Sequence, residues 1–256
     1  MNILLVNEKG CFAPGITALA KALSVRHRVV IVAPLNPQQG IGHQFTKSAR
    51  PLRVKQYFVL NKVKIFSVNG TPCDCVTLAL DKILKSKPDL IVTGICDHHN
   101  RGETIYSSGV VSAAIEGTIQ GIPSIALSAN VRDSSDEKNF QAIASNFARN
   151  LSFLYKNMPP NVTLNVNYPE KISTRKIICT HLTRGMVDNK YSVEVNPFGL
   201  TFYWLKSPIM GFALDALEQR GDLYWLKKSY ITVTPLKLNL TNEQFIPILE
   251  KAGITL

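Results

Sequence analysis

Apolar and polar positions follow two rhythms along the first part of the chain. Residues 2–6 are an apolar run after Asn2, the pattern of a strand buried on both faces. A polar loop, residues 7–13, leads to a stretch of helical period at residues 14–24. Pro14 opens it at a position where a missing N–H costs nothing. Residues 29–32 repeat the strand pattern and stop at Ala33-Pro34, and two short apolar runs, 54–59 and 63–68, flank Asn61-Lys62 as a hairpin. Val76, Leu80 and Leu84 form one stripe of an amphipathic segment over 72–84. A strand at 90–93, an Ala-rich helix at 110–120, a strand at 122–127 and a helix at 137–155 complete the series.

Alternation of this kind predicts a doubly wound α/β fold with a mainly parallel sheet, whose ligands bind beyond the carboxyl ends of the strands. Those ends are residues 7–9, 34–42 and 94–109. Beyond about residue 160 the character changes. Runs at 163–166, 176–180, 191–195, 200–205 and 230–234 read as strands with few helices between them, and a last helix is expected over 242–251. The chain is read as one domain, residues 1–256. A doubly wound core covers about 1–160, and a β-rich extension with an oligomerisation segment covers about 161–256.

With 256 residues and 45% hydrophobic content, the chain can bury a core without disulfide or metal staples. Lys and Arg number 29 against 18 Asp and Glu, a net charge of +11 that favours anionic ligands. The basic residues spread from Lys9 to Lys251, which argues against a nucleic-acid stripe. Five scattered cysteines do not make an extracellular disulfide framework, and no apolar run is long enough for a signal peptide or a membrane helix. A cytoplasmic location is expected.

The strand-end loops hold the unusual chemistry. Asn7-Glu8-Lys9-Gly10 places a carboxylate and an ammonium just past a buried strand. The third loop carries Cys96, Asp97, His98, His99 and Asn100, and runs into Ser107-Ser108-Gly109 at a helix start. Such a start exposes main-chain N–H groups and the positive end of the helix dipole, an anion seat, although a simple serine N-cap explains the same residues. Cys96 with His98 can bind zinc or supply a nucleophile, or these are ordinary loop residues. Cys73 and Cys75 open a helix and read as structural. Tyr203-Trp204 and Tyr224-Trp225 can stack a base or pack internally, and His181 and Arg184 can meet substrate or a neighbouring subunit.

The opening residues 1–7 with Gly10, Ala13, Pro14 and Gly15 resemble the SurE family of survival-type nucleotidases. Further matches follow in order: Val32-Ala33-Pro34, Gly70-Thr71-Pro72, Asp74-Cys75-Val76, Pro88-Asp89 and Gly94-Ile95. Then come Asn100, Gly102, Ser108-Gly109, Ala113-Ala114, Glu116-Gly117, residues 164–167 with Pro169, Tyr203-Trp204, Asp222 and Thr234-Pro235-Leu236. The resemblance implies a three-layer α/β fold with a β-hairpin extension and a C-terminal segment exchanged between subunits of a homodimer or homotetramer. It also implies removal of phosphate from nucleoside monophosphates with Mg²⁺ or Mn²⁺. The family holds its metal with two adjacent aspartates, a serine and an asparagine.

Here those four positions fall on Glu8, Lys9, Gln39 and Cys96, and Val110 replaces the threonine after Ser-Gly. Mg²⁺ and Mn²⁺ prefer hard, anionic oxygen ligands, whereas Lys9 brings a positive charge and Cys96 a soft sulfur. The expectation is therefore a diverged SurE-like enzyme acting on a small phosphorylated or otherwise anionic molecule, with no metal ligands assigned and no cofactor. Lys9 would stabilise charge, or else pair with Glu8 or face solvent. Glu8, His98 or Cys96 would transfer protons or attack. Asn7, Gly10, Gln39, Asn100, Ser108 and Gly109 would bind substrate. The alternatives are a non-catalytic nucleotide- or anion-binding protein, and a metal-dependent nucleotidase with an altered metal shell.

Overall fold

The computed structural model describes residues 1–47, 50–57, 63–131, 133–170, 176–184, 190–206 and 218–254. Eleven strands are described: β1 (Asn2–Val6), β2 (Arg28–Pro34), β3 (Val54–Tyr57), β4 (Lys64–Val68), β5 (Leu90–Cys96), β6 (Ser124–Ala129), β7 (Val162–Tyr168), β8 (Ile177–Cys179), β9 (Tyr191–Val195), β10 (Thr201–Leu205) and β11 (Ile231–Lys237). The helices are α1 (Pro14–Ser24), α2 (Pro72–Leu78), α3 (Gly109–Ile119), α4 (Glu137–Lys156), α5 (Asp222–Lys227) and α6 (Ile246–Lys251).

Nine strands form one sheet in the order β3-β4-β2-β1-β5-β6-β7-β11-β8. Pairing is parallel from β4 through to β7; β3 and β11 enter antiparallel. The alternation of side chains along β1 builds the three layers. Ile3 and Leu5 pack with Ile16, Leu19 and Leu23 of α1 and with Phe140 and Phe147 of α4. Leu4 and Val6 point the other way, to Val76 of α2 and Ala113 of α3. The doubly wound α/β fold expected from the pattern, with the three layers that the resemblance implies, is the one observed.

Several elements differ from the expectation. The 72–84 segment is α2 followed by a π-helical turn, Ala79–Ile83, rather than one helix. β5 extends three residues past Thr93, so Gly94, Ile95 and Cys96 lie in the strand and not in a loop. The sheet also runs across the boundary placed near residue 160, because β7, β11 and β8 belong to it. Among the described strands only β9 and β10 stand apart, as a two-stranded ribbon. The hairpin of β3 and β4 is present, while its expected Asn61-Lys62 turn lies outside the described residues. Among the described residues no helix is long and apolar enough to cross a membrane.

Candidate functional site

The chain leaves β1 through α1 to β2 on one side, while β5 to β7 build outward on the other. The carboxyl ends of β1 and β5 therefore form a topological switch point, where an open α/β sheet has its crevice. The loops that carry the unusual residues meet here.

The loop after β1 turns sharply. Asn7 Oδ1 accepts the Gly10 N–H at 3.1 Å, and Gly10 takes a φ of +104°, a left-handed conformation that suits glycine. The Asn7 Nδ2 is buried and has no hydrogen-bond partner among the described residues. Glu8 is fully buried between two donors. Its Oε2 accepts the Gly109 N–H at 2.9 Å, and its Oε1 accepts the Cys96 thiol at 2.9 Å. A Cβ on Gly109 would stand 2.9 Å from Glu8 Oε2, so the glycine is what lets the carboxyl reach the start of α3. Ser108 is the N-cap, accepting the Val111 N–H at 3.1 Å. The N-cap reading of the Ser-Ser-Gly turn is the one seen, and the chain's own Glu8 carboxyl takes the Gly109 N–H that the anion-seat reading reserved for a ligand.

Lys9 pairs with neither Glu8 nor solvent alone. Its ammonium lies 2.8 Å from Asp97 Oδ1, with both side chains largely shielded. Burial pushes the Asp97 carboxyl up, but hydrogen bonds from His98 and Lys9 outweigh it and hold the group at about 2. Cys96 is buried at the end of β5, and its thiol is pushed well above the ordinary range by burial and by Glu8. His98 is half-exposed, with Nδ1 3.1 Å from Asp97 Oδ1 and 3.2 Å from Cys96 Sγ, and Nε2 3.7 Å from Glu8 Oε1. Glu8, Cys96 and His98 form a set whose ligand atoms all lie within 4.8 Å of one another.

The remaining candidates divide. His99 faces away from this cluster: its Nε2 donates to the Tyr168 carbonyl at 2.7 Å, and burial followed by the Arg101 guanidinium lowers it to about 4. Asn100 is committed to the fold. Its Nδ2 donates to Ser128 Oγ, its N–H to Asn167 Oδ1, and its carbonyl accepts from Asn165 and Asn167. Gln39 is exposed, in a loop that the Gln38 N–H ties to the Glu8 carbonyl at 2.7 Å. Tyr203 and Trp204 stand exposed on β10, whereas Trp225 packs edge-on against Tyr224 and Tyr230. A cavity of about 390 Å³ beside His99 and Arg101 is lined by Asn130, Glu170 and α5 residues, and by none of the substrate-binding or catalytic candidates.

Sequence reasoning places Asp97 only in a cluster of possible ligands or catalysts with Cys96, His98 and His99, and misses that it holds both Lys9 and His98. The signal was present: residues just past two neighbouring parallel strands face each other, so opposite charges there should pair. Asp222 is a second omission. Its buried carboxylate accepts the Gly102, Thr183 and Leu223 N–H groups and the Thr183 hydroxyl, fastening the third loop to α5.

Comparison with known proteins places this arrangement. The model of the family described as Survival protein SurE matches residues 3–190. The chain belongs to the SurE family. It is 35% identical to the 5'-nucleotidase SurE of Thermosipho africanus over 98% of this chain and 97% of that protein. With the 5'-nucleotidase SurE of Chlorobium phaeobacteroides the identity is 37%, covering 98% and 95%. The crystal structure of the SurE protein from Aquifex aeolicus superposes with a TM-score of 0.81 at 35% identity, covering 99% of this chain and 100% of that one. The SurE resemblance seen in the motifs therefore extends to nearly the whole molecule.

Proposed function

We propose that this SurE-family chain is a phosphomonoesterase of the nucleoside-monophosphate class, with its centre at the ends of β1 and β5. The observation that carries the reading is the near-complete match to relatives named 5'-nucleotidase SurE, with the chemistry-bearing loops in place at the switch point. This moves the nucleotidase alternative ahead of an unspecified new reaction. In the reaction a water oxygen joins phosphorus, the ester P–O bond breaks, and the leaving alcohol takes the proton that water gives up.

Donors for the substrate phosphate are available. Lys9 keeps two N–H donors beyond the one Asp97 takes, and the Asn7 Nδ2, unpartnered among the described residues, lies in the same loop. Cys96 is unsuited to attack, because its buried thiol is held protonated and donates to Glu8. Asn100 positions the loop, since its side chain is already bonded.

The donor set does not fit Mg²⁺ or Mn²⁺. At the positions implied by the resemblance stand one carboxyl already bonded twice, an ammonium, a thiol and an exposed amide. No step here is drawn through such an ion. The test is phosphate release from a panel of nucleoside monophosphates with and without added divalent metal. Release that Glu8→Ala abolishes supports the reading; no release under any metal overturns it.

One observation favours a second reading, a binding protein without turnover. Glu8 already fills the Gly109 N–H and Asp97 already neutralises Lys9. That protein would be stabilised by nucleoside monophosphates while forming no product.

We also propose self-association. On one face of the ribbon, Tyr191, Val193 and Val195 lie beside Leu205, Tyr203 and Thr201, and the five apolar side chains among them are exposed. α6 buries none of its residues, which suits a tail exchanged with a second copy.

A further inference from the structure

We propose that Glu8, Cys96 and His98 bind a borderline transition-metal ion of the Zn²⁺ class, at the site where the resemblance implies a hard ion. The inference deepens the phosphomonoesterase reading and rests on it for the ion's use, but not for its binding.

The donor chemistry comes first. One carboxylate oxygen, one sulfur and one imidazole nitrogen are the ligand types that Zn²⁺, Co²⁺ and Fe²⁺ share, and sulfur disfavours Mg²⁺. Geometry agrees. A tetrahedral ion with ordinary Zn–S, Zn–N and Zn–O bonds holds its ligand atoms about 3.3–3.6 Å apart. In this chain Cys96 Sγ lies 3.5 Å from His98 Nε2 and 2.9 Å from Glu8 Oε1, and Nε2 lies 3.7 Å from Oε1. Cys96 Sγ also lies 3.2 Å from His98 Nδ1, so an ion needs the half-exposed His98 ring to turn its Nε2 inward and the Cys96–Glu8 contact to open by about 0.7 Å, after which the three atoms make three corners of a tetrahedron.

The surroundings are those a metal site needs. Metal-binding histidines commonly give their second nitrogen to a carboxylate, and His98 Nδ1 lies 3.1 Å from Asp97, itself held by Lys9. Glu8 keeps Oε2 on the Gly109 N–H while Oε1 faces the other two ligands. On binding, the ion takes the place of the Cys96 thiol proton, which leaves to solvent, and the Cys96–Glu8 hydrogen bond becomes two bonds to one ion. Two anionic ligands balance the dication. Three protein ligands leave a fourth position for water or a phosphate oxygen, and the half-exposed His98 ring marks the route in from solvent.

Cobalt titration of the metal-stripped full chain tests this directly. We expect one Co²⁺ per chain with thiolate-to-cobalt absorption, and displacement by Zn²⁺ but not by Mg²⁺. The exposed thiol variant Cys179→Ser keeps the signal. Cys96→Ser loses the thiolate band, and His98→Ala, altered at a half-exposed position, weakens binding at least about tenfold. The inference is overturned if no cobalt band appears, if the band survives Cys96→Ser, or if His98→Ala binds as tightly as the parent. Phosphate release by a chain that binds no metal would defeat this inference and leave the function standing. Metal bound with no release from any nucleoside monophosphate would do the reverse.

Discussion

The Glu8 carboxyl lies 2.9 Å from the main-chain N–H of Gly109, so the loop after β1 is tied to the start of α3 across 101 positions of sequence. The same carboxyl accepts the Cys96 thiol, and all three residues are buried. Glu8→Ala should therefore strand two buried donors and create a small void. A loss of about 1–3 kcal/mol in unfolding free energy is expected, because an unsatisfied buried donor costs its full desolvation. Urea unfolding of the variant checks this; a stability within error of the parent would mean that water replaces the carboxyl at no cost.

Lys9 and Asp97 sit at the ends of neighbouring strands, 2.8 Å apart and mostly shielded from solvent. Exposed pairs contribute roughly 0.2–1 kcal/mol, and shielding should raise this one above that range. A double-mutant cycle with Lys9→Ala and Asp97→Ala measures the coupling. Because Asp97 also holds His98, Asp97→Ala should lower the affinity for Co²⁺ more than Lys9→Ala does. Equal effects, or a coupling near zero, would remove Asp97 from its place as the orienting group.

The core of the fold was legible because both-face burial writes itself into sequence. Residues 3–6, 29–33 and 90–92 are unbroken apolar runs within β1, β2 and β5, and α1 and α4 carry periodic stripes. The loops of the site were legible for the same reason, since they follow those strands. Pairings across the site were not. Glu8 meets Gly109, and Asn100 meets Ser128 and Asn167, only after the sheet has ordered distant segments. α5 has six residues, too few to show a period, and its anchor is the set of bonds to Asp222. β11 looked like part of an extension because nothing local marks a strand that enters a parallel sheet antiparallel.

Acid should destabilise the chain in two steps. The fold holds His99 at about 4, against about 6.5 for an ordinary histidine. Between these values the unfolded chain binds the extra proton, so stability is full above about pH 6.5 and falls as pH drops toward 4. His27, lowered by burial, acts in the same direction. Asp97, held at about 2, adds stability that is full above about pH 4 and is lost as pH falls toward 2. Urea midpoints measured from pH 7 to 4 should decline in the parent and decline less in His99→Gln, which keeps a donor for the Tyr168 carbonyl without titrating. Identical slopes would show that His99 does not carry the first step.

A two-stranded ribbon is at best marginally stable alone in water, yet β9 and β10 pair in full register. Val193 sits opposite Tyr203 and Tyr191 opposite Leu205 on one face, each more than half exposed. A contiguous apolar face of this kind suits the self-association proposed above, as do the exposed apolar residues of α6. The natural chain should therefore run as a homodimer or homotetramer in light scattering. Val193→Asp places an unpaired charge at the centre of the face and should shift the mass to a smaller assembly. The sheet is a separate unit, so its main transition in thermal unfolding should persist in the variant. A monomeric parent, or a variant with unchanged mass, would mean that the ribbon face contacts something other than a second copy.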